Sequence, residues 1–102
     1  MAPNPAPAPA ATVVVYGVAK VALVQEFLKK QTATMRQNLE DAISALSYDP
    51  RPVDSGPMVG VPAGMPLLQW PVNTTTPKYT LVYHIDDAKE KVTLIAINPS
   101  IV

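Results

Sequence analysis

The chain contains no cysteine, so it has no disulfide, no thiolate nucleophile and no cysteine-ligated metal site. It has no net charge either, because eight basic residues balance eight acidic ones. Proteins that bind nucleic acid through its phosphates normally carry a clear basic excess. No apolar run approaches the roughly 20 residues of a membrane-spanning helix, and the N-terminus lacks the pattern of a signal peptide. These absences favour a cytoplasmic protein without a membrane segment.

Proline at the start of the chain and a sizeable hydrophobic fraction set the domain organisation. Every second residue from Pro3 to Pro9 is a proline. Because proline fixes φ and donates no backbone hydrogen bond, residues 1–11 are predicted to be a disordered tail. The other residues, 12–102, are predicted to form one domain, since 48% of the 102 residues are hydrophobic and the chain is short.

The first half of the domain predicts one strand and two helices. Thr12–Tyr16 is a β-branched run typical of a strand. Val18–Lys30 is apolar on more than one side, which indicates a helix covered by a sheet and by a neighbour. A second helix, capped by Thr32 or Thr34, is predicted from the apolar stripe at helical spacing over Met35–Leu46.

The second half predicts three strands. Leu67–Trp70 is the only strand candidate in a proline-rich connection, and Pro71 is expected to mark a bulge or the end of that strand. Tyr79–Ile85 alternates at period two, and Val92–Ile97 is apolar on both faces, with the charged turn Asp86–Lys91 between them. The order β-α-α-β-β-β predicts an α+β fold, in which two helices pack on one face of a small antiparallel sheet.

Three motifs resemble those of the RelE/ParE superfamily of bacterial toxins. The segment Leu46–Pro52, which reads Leu-Ser-Tyr-Asp-Pro-Arg-Pro, is similar to the Leu-x-x-Asp-Pro-Arg-Pro that ends the second helix in many members. Met58–Gly60 stands where members often have Lys-Leu-x-Gly. Tyr79–Asp87, followed by Val92–Ile95, is similar to their Tyr-Arg-x-x-Tyr-x-Ile-Asp-Asp hairpin and last strand. The resemblance covers residues 12–97.

The resemblance implies the toxin of a toxin–antitoxin pair, which inhibits growth through translation or gyrase and is neutralised by a cognate antitoxin. The ribosome-dependent nucleases of the family cut messenger RNA with basic residues on the concave face of the sheet, where positive charge stabilises the developing phosphorane. At the positions of several of those arginines, this chain has Gln69, Pro71 and Thr80. The nuclease residues of the family therefore cannot be carried over.

A small set of residues remains for chemistry on RNA. His84 is the only histidine, and histidine titrates near neutrality. As a general acid or base it would need a phosphate-binding neighbour, for which Lys78 is the candidate. Arg51 and Lys78 are the candidates for contact with nucleic acid. No cofactor motif or metal-ligand spacing is present, and the carboxylates of the charged turn are interpreted as solvated rather than metal-binding.

The first predicted helix also suggests a protein-binding surface. In a domain with two helices and four strands, only one side of that helix can face the sheet. Val21, Val24 and Leu28 are therefore predicted to edge a hydrophobic surface for an antitoxin or for a second copy in a homodimer. Changing Val24 or Leu28 to a charged residue is expected to weaken that complex while leaving the monomer folded.

Three functions agree with these residues. The first is a toxin that inhibits translation or gyrase, in which case ribosome or gyrase is a further partner. The second is a catalytically inactive protein of the same fold that serves as a protein-binding module. The third is a weak ribosome-dependent messenger-RNA endonuclease with an atypical site. The missing arginines and the zero net charge disfavour the third.

Overall fold

A computed structural model describes residues 14–58 and 66–100. The predicted disordered tail, residues 1–11, lies outside this range, as do residues 59 and 60 of the Met58–Gly60 motif. Neither helix in the described part of the chain combines the length and the apolar character that crossing a membrane requires. The elements in chain order are β1 (Gly17–Lys20), α1 (Ala22–Lys29), α2 (Ala33–Tyr48), β2 (Gly56–Pro57), β3 (Leu67–Val72), β4 (Tyr79–Asp86) and β5 (Lys91–Pro99).

The five strands form one sheet in the order β1-β5-β4-β3-β2. The predicted α+β class and the succession of strand, two helices and three strands are confirmed, with the two-residue β2 in addition. Neighbouring strands are antiparallel except at one edge, where β1 runs parallel to β5. The sheet is therefore mixed, and the expectation of an antiparallel sheet is wrong for β1.

The start of the domain differs most from the sequence prediction. The described part of the predicted first strand Thr12–Tyr16, residues 14–16, is not in a strand, and β1 begins at Gly17. Helix α1 begins at Ala22 rather than at Val18. Val18 and Lys20 pair with Val92 and Leu94 of β5. That pairing joins residues more than seventy positions apart, and it overrides the local helical pattern of Val18–Lys20.

Helix α2 begins and ends where its sequence predicts. The side chain of Thr32 accepts a hydrogen bond of 3.1 Å from the backbone N–H of Met35, so it satisfies one of the donors left open at a helix start. The helix ends at Tyr48, directly before Asp49-Pro50, because a residue that precedes proline is disfavoured in helical geometry. The apolar stripe is buried at Leu39, Ala42, Ile43 and Leu46.

The cap gives a first testable prediction. Replacing Thr32 with alanine removes the bond to Met35, and the free energy of unfolding is expected to fall by about 1 kcal/mol. Thr34 is a matched control, because it is exposed inside the same first turn and alanine is the better helix former there. Urea denaturation of the two variants measures both effects. An equal loss in both variants would contradict the role assigned to Thr32.

The core lies between the two helices and one face of the sheet. Leu81, Tyr83 and Ile85 of β4 point into it and are paired with Ile97, Leu94 and Val92 of β5. A bulge interrupts the alternation of β5, because Tyr83 pairs with Leu94 whereas the preceding Val82 pairs with Ala96. The bulge leaves Ile95 as an extra residue and so returns Ile97 to the core face.

The outer edge of β1 is partly closed by side chains and backbone from the helices. The N–H of Gly17 donates to the carbonyl of Glu90, directly before β5, and that of Val21 donates to Leu94 of β5. The alternate residues Tyr16, Val18 and Lys20 therefore direct their backbone groups away from the sheet. Of these groups, the N–H of Tyr16 donates to the carbonyl of Ser47 at 2.8 Å. The carbonyl of Lys20 accepts from the side chain of Gln25 at 2.8 Å. Little of this short edge remains for a further strand.

The opposite edge is closed by prolines. The N–H of Met58 donates to the carbonyl of Leu67, which places Leu67 and the alternate residue Pro71 toward the β2 side of β3. Strand β3 runs through Pro71 to Val72, so the expectation of a bulge or strand end at Pro71 is wrong. Proline is tolerated there because its missing N–H falls on the sheet edge, beyond the end of β2. Pro57 likewise leaves the outer side of β2 without a donor.

Candidate functional site

The face of the sheet turned away from α1 and α2 is the first candidate site, and we call it the open face. It consists of the strand residues that alternate with the core residues. These are Leu67, Gln69 and Pro71 of β3, Thr80, Val82, His84 and Asp86 of β4, and Lys91, Thr93, Ala96 and Asn98 of β5. The two charged residues among them, Asp86 and Lys91, lie opposite each other where the strands meet the β4–β5 turn. The rest of the open face is polar in part and has no lysine, arginine, aspartate or glutamate.

A shallow depression of about 470 Å³ lies at one end of the open face. Thr80 and Ser100 are joined across it by a hydrogen bond of 2.7 Å between their hydroxyl oxygens. The backbone N–H of Ser100 donates to the carbonyl of Lys78 at 3.0 Å, which ties the end of β5 to the start of β4. Hydroxyl, amide and apolar groups line the depression, and no cationic side chain does. The lining is Met58, Gln69, Pro71, Thr80, Val82, Asn98, Pro99 and Ser100.

The two candidate catalytic residues are not brought together. His84 is half-buried near one end of β4, opposite Leu67 and Thr93, whereas Lys78 is exposed just before the other end. Six residues of extended chain separate them, or roughly 20 Å at about 3.3 Å per residue. A general acid or base and its phosphate-binding partner must reach the same phosphate. His84 and Lys78 therefore do not form one catalytic pair, and a separate role for either stays a prediction.

Arg51 belongs to an ion-pair cluster that the sequence analysis did not foresee. Its Nη1 and Nη2 donate to the two carboxylate oxygens of Asp87, at 3.2 and 2.9 Å. The hydroxyl of Tyr16 donates to the same carboxylate at 2.7 Å. This cluster fastens the segment after α2 and the start of β1 to the β4–β5 turn. Because Asp87 occupies the guanidinium of Arg51 in a bidentate pair, a phosphate would have to displace it before Arg51 could contact nucleic acid.

The hydrogen bonds of the cluster shift the pKa values of Asp87 and Tyr16. The hydrogen bonds from Arg51 and Tyr16 hold the pKa of Asp87 below its usual value. The hydrogen bond to Asp87 raises the pKa of Tyr16, because deprotonation would break that bond. All three side chains lie at the surface, so solvent screens these interactions and their share of the stability is small.

The shift of Asp87 gives a second testable prediction. Because its folded-state pKa is lowered, the carboxylate keeps its partners until the pH falls below the range in which an ordinary aspartate titrates, about 3.9. Replacing Arg51 with leucine removes the larger cause, so the midpoint of Asp87 is expected to move upward. NMR titration of the Asp87 carboxyl carbon measures both midpoints. Equal midpoints in the two proteins would contradict the pairing.

The Asp-Pro-Arg-Pro segment is also held from inside the fold. The hydroxyl of the buried Tyr83 donates to the carbonyl of Pro50 at 2.9 Å. Burial raises the pKa of Tyr83, which keeps the hydroxyl protonated and able to donate. Together with the pair of Arg51 and Asp87, this bond anchors both sides of the segment to the β4–β5 hairpin. The motif thus positions the end of α2 against the sheet.

The proposed hydrophobic binding edge on α1 does not have the exposure that was expected. Val24 and Leu28 are only 1% and 4% exposed, because they point into the core between α1 and the sheet. Val21 is half-buried and packs against the same core. The expectation of an exposed edge is therefore corrected for Val24 and Leu28. The large apolar side chain that α1 does expose is that of Leu23, at 79%.

Trp70 lies where the helices leave part of the core face of the sheet uncovered. It is half-buried, packs against the core cluster, and lines a groove of about 350 Å³ between α2 and β3. Its neighbours across the groove include Ala42 and Ala45, whose small side chains leave room beside the indole. Trp70 thus packs against the core and also lines the groove. Among the described residues, no group of three histidine or acidic side chains is placed to hold a metal ion.

At the level of sequence, no protein-family model matches the chain, and no curated protein matches it. Solved structures do match its fold. A chain of the intact E. coli RelBE toxin–antitoxin complex superposes with a TM-score of 0.65 at 20% identity, covering 85% of this chain and 99% of that one. The isolated E. coli RelE toxin gives a TM-score of 0.63 at 20% identity, over 85% and 86% of the two chains.

An archaeal protein gives the same result. A chain of the RelE–RelB complex from Pyrococcus horikoshii OT3 superposes with a TM-score of 0.63 at 17% identity, covering 83% of this chain and 94% of that one. The fold of this chain is therefore that of RelE toxins, and the fold implied by its sequence motifs is confirmed.

Proposed function

We propose that this RelE-fold chain is the toxin-like component of a toxin–antitoxin module, and that it acts by binding a macromolecule rather than by cleaving RNA. The observation that carries the proposal is the open face of the sheet. It has the position of the surface on which the nucleases of this superfamily place basic residues, and here its described strand residues include no arginine and one lysine, Lys91, which lies opposite Asp86.

The chemistry of RNA cleavage explains why the open face matters. Attack by a ribose 2′-hydroxyl builds negative charge on the phosphate and needs an acid for the leaving oxygen. His84 could supply a proton, but Lys91, the lysine on the same face, lies opposite Asp86, whose carboxylate competes with a phosphate for its charge. Electrostatic binding of the RNA backbone would also be weak, because it depends on cations that release the counterions of the phosphates.

The second part of the proposal is a protein partner. Two of the structures with the same fold are complexes of RelE with the protein RelB, one from E. coli and one from Pyrococcus horikoshii. By analogy, we expect this chain to be neutralised by a cognate antitoxin in the cytoplasm, where the ribosome and gyrase are also found. A catalytically inactive binding protein of the same fold is the competing hypothesis.

Induced expression in a bacterial culture tests the proposal. We expect growth to stop. We also expect that messenger RNA is not cleaved on the ribosome, and primer extension would detect such cleavage if it occurred. Incorporation of labelled methionine and the supercoiling of a reporter plasmid then show whether translation or gyrase fails first. His84→Ala is expected to arrest growth as fully as the unchanged chain. Cleavage that disappears in His84→Ala would contradict the proposed mode of action, and unimpaired growth would favour the inactive binding protein.

A further inference from the structure

Half of the eight basic residues of this neutral chain lie around α1 and the start of α2. We call this surface the basic corner. Its members are Lys20, Lys29 and Arg36, which line one depression, and Lys30, which follows Lys29 at the end of α1. Glu40 pairs with Lys20 at 3.0 Å, and Glu26 approaches Lys29 at 3.8 Å. Four cations less these two carboxylates leave a net charge of +2, on a molecule whose total is zero.

Arg36 is held rigidly within the basic corner. Its Nε donates to the carbonyl of Leu28 at 3.0 Å, and its Nη2 donates to the carbonyls of Lys29 and Gln31 at 3.4 and 3.0 Å. These bonds satisfy backbone acceptors at the end of α1. Nη1 makes no hydrogen bond to any described residue, so it is a donor fixed in place beside two lysines. A fixed guanidinium loses little side-chain entropy when it binds an anion.

The basic corner borders a depression of about 330 Å³. Lys20, Lys29 and Arg36 stand around it with Glu40 and Gln25, and the buried Leu28 lies beneath it. On the outer side of the same helix, Leu23 is almost fully exposed. Several cations near an exposed leucine distinguish this place from the open face, whose strand residues include one lysine, Lys91, opposite Asp86.

We infer that the basic corner is the docking surface for an acidic segment of a partner protein. The net charge of +2 favours carboxylates by complementarity. A peptide can place carboxylates against Lys29, Lys30 and Nη1 of Arg36 while an apolar side chain covers Leu23. A nucleic-acid backbone would satisfy the cations alone and leave Leu23 in water. The inference rests on the proposed function for the existence of a protein partner, and it names that partner's chemistry.

Selection from a random library of 15-residue peptides, displayed on phage and presented to the full chain, tests the inference. Selected peptides are expected to be rich in aspartate and glutamate and to contain apolar residues. One selected peptide is then labelled, and its affinity is measured by fluorescence anisotropy. The double variant Lys29→Glu/Lys30→Glu is expected to weaken binding by at least about tenfold, since each reversed charge turns an attraction into a repulsion.

A matched control reverses the same charge elsewhere. Lys89→Glu/Lys91→Glu alters two exposed lysines of the β4–β5 turn, and it is expected to change the affinity less than twofold. An equal loss in both double variants would overturn the inference, as would selected peptides without acidic enrichment. Circular dichroism tests whether both double variants are folded. If Lys29→Glu/Lys30→Glu is unfolded, the single variant Lys30→Glu takes its place.

Competition with RNA tests whether the basic corner binds nucleic acid rather than a protein segment. A 15-nucleotide oligouridine that binds the basic corner more tightly than the selected peptides would overturn the choice of a protein segment. The selection uses the isolated chain and does not depend on toxicity. If expression does not arrest growth but acidic peptides bind the basic corner, the proposed function fails and this inference stands. If growth is arrested and no acidic peptide binds, the inference fails alone.

Discussion

Replacing either Val24 or Leu28 with aspartate is expected to unfold the chain. Both side chains lie in the core between α1 and the sheet, at 1% and 4% exposure. A carboxylate there loses its water and gains no partner, which costs about 4 kcal/mol or more. Small domains have total stabilities toward the lower end of about 5–15 kcal/mol. Thermal unfolding followed by circular dichroism should therefore show little cooperative transition in either variant.

Leu23 provides the control from the same helix. It is 79% exposed, so Leu23→Asp is expected to remain folded and to change the free energy of unfolding by less than about 0.5 kcal/mol. The contrast between position 23 and positions 24 and 28 tests which face of α1 is buried. A folded Val24→Asp variant with native NMR dispersion would show that α1 is rotated from the orientation described above, and it would restore the exposed binding edge.

Tyr83→Ala is the second substitution with a large expected effect. Tyr83 is completely buried, at 0% exposure, and it pairs with Leu68 and Leu94 at the centre of the sheet. Removing an aromatic ring from such a site costs about 3–5 kcal/mol, because the transfer free energy is lost and a cavity remains. The hydroxyl bond to Pro50 is lost as well. Urea denaturation is expected to show a midpoint far below that of the unchanged chain.

Tyr83→Phe divides this loss into its two parts. Phenylalanine keeps the ring but leaves the carbonyl of Pro50 without its donor, so a loss of about 1–2 kcal/mol is expected. Tyr48→Ala is the control for an exposed tyrosine, since that side chain is 67% exposed and its loss should be within about 0.5 kcal/mol. Equal stabilities of Tyr83→Phe and the unchanged chain would mean that the bond to Pro50 contributes nothing.

The regular elements were predictable where a local pattern and the tertiary contacts agree. The stripe from Met35 to Leu46 matches α2 because the same residues that make the helix amphipathic also face the core. The alternation of Tyr79–Ile85 matches β4 for the corresponding reason. Both patterns repeat over enough residues to outweigh single exceptions, and together they were sufficient for the α+β class.

The prediction failed where a distant partner decides the conformation. Val18–Lys20 has a helical pattern, yet it forms a strand because β5 offers it a parallel partner. Strand β2 has only two residues, one of them proline, and no periodicity can indicate so short an element.

The same reasoning applies to the candidate site. Arg51 and Asp87 are 36 residues apart in sequence, so their pairing depends on how the end of α2 meets the β4–β5 turn. Spacing along the chain could not have shown it. Conversely, Lys78 and His84 are close in sequence but lie toward opposite ends of β4, because an extended strand carries neighbours apart at about 3.3 Å per residue. Inspection of the individual positions was more informative, since Gln69, Pro71 and Thr80 lie on an open face whose strand residues include no arginine and one lysine, opposite Asp86.

The closed edges of the sheet bear on how copies of this chain can associate. Pro57 and Pro71 remove donors on one side, and Gln25 and Ser47 occupy backbone groups on the other. Joining two molecules into a continuous sheet would require unpaired N–H and C=O groups in register, and neither side offers a complete set. Concentrated or heterologously expressed protein should therefore resist growth into β-linked filaments. Any homodimer must form through side chains, which a point mutation can break without disturbing the backbone.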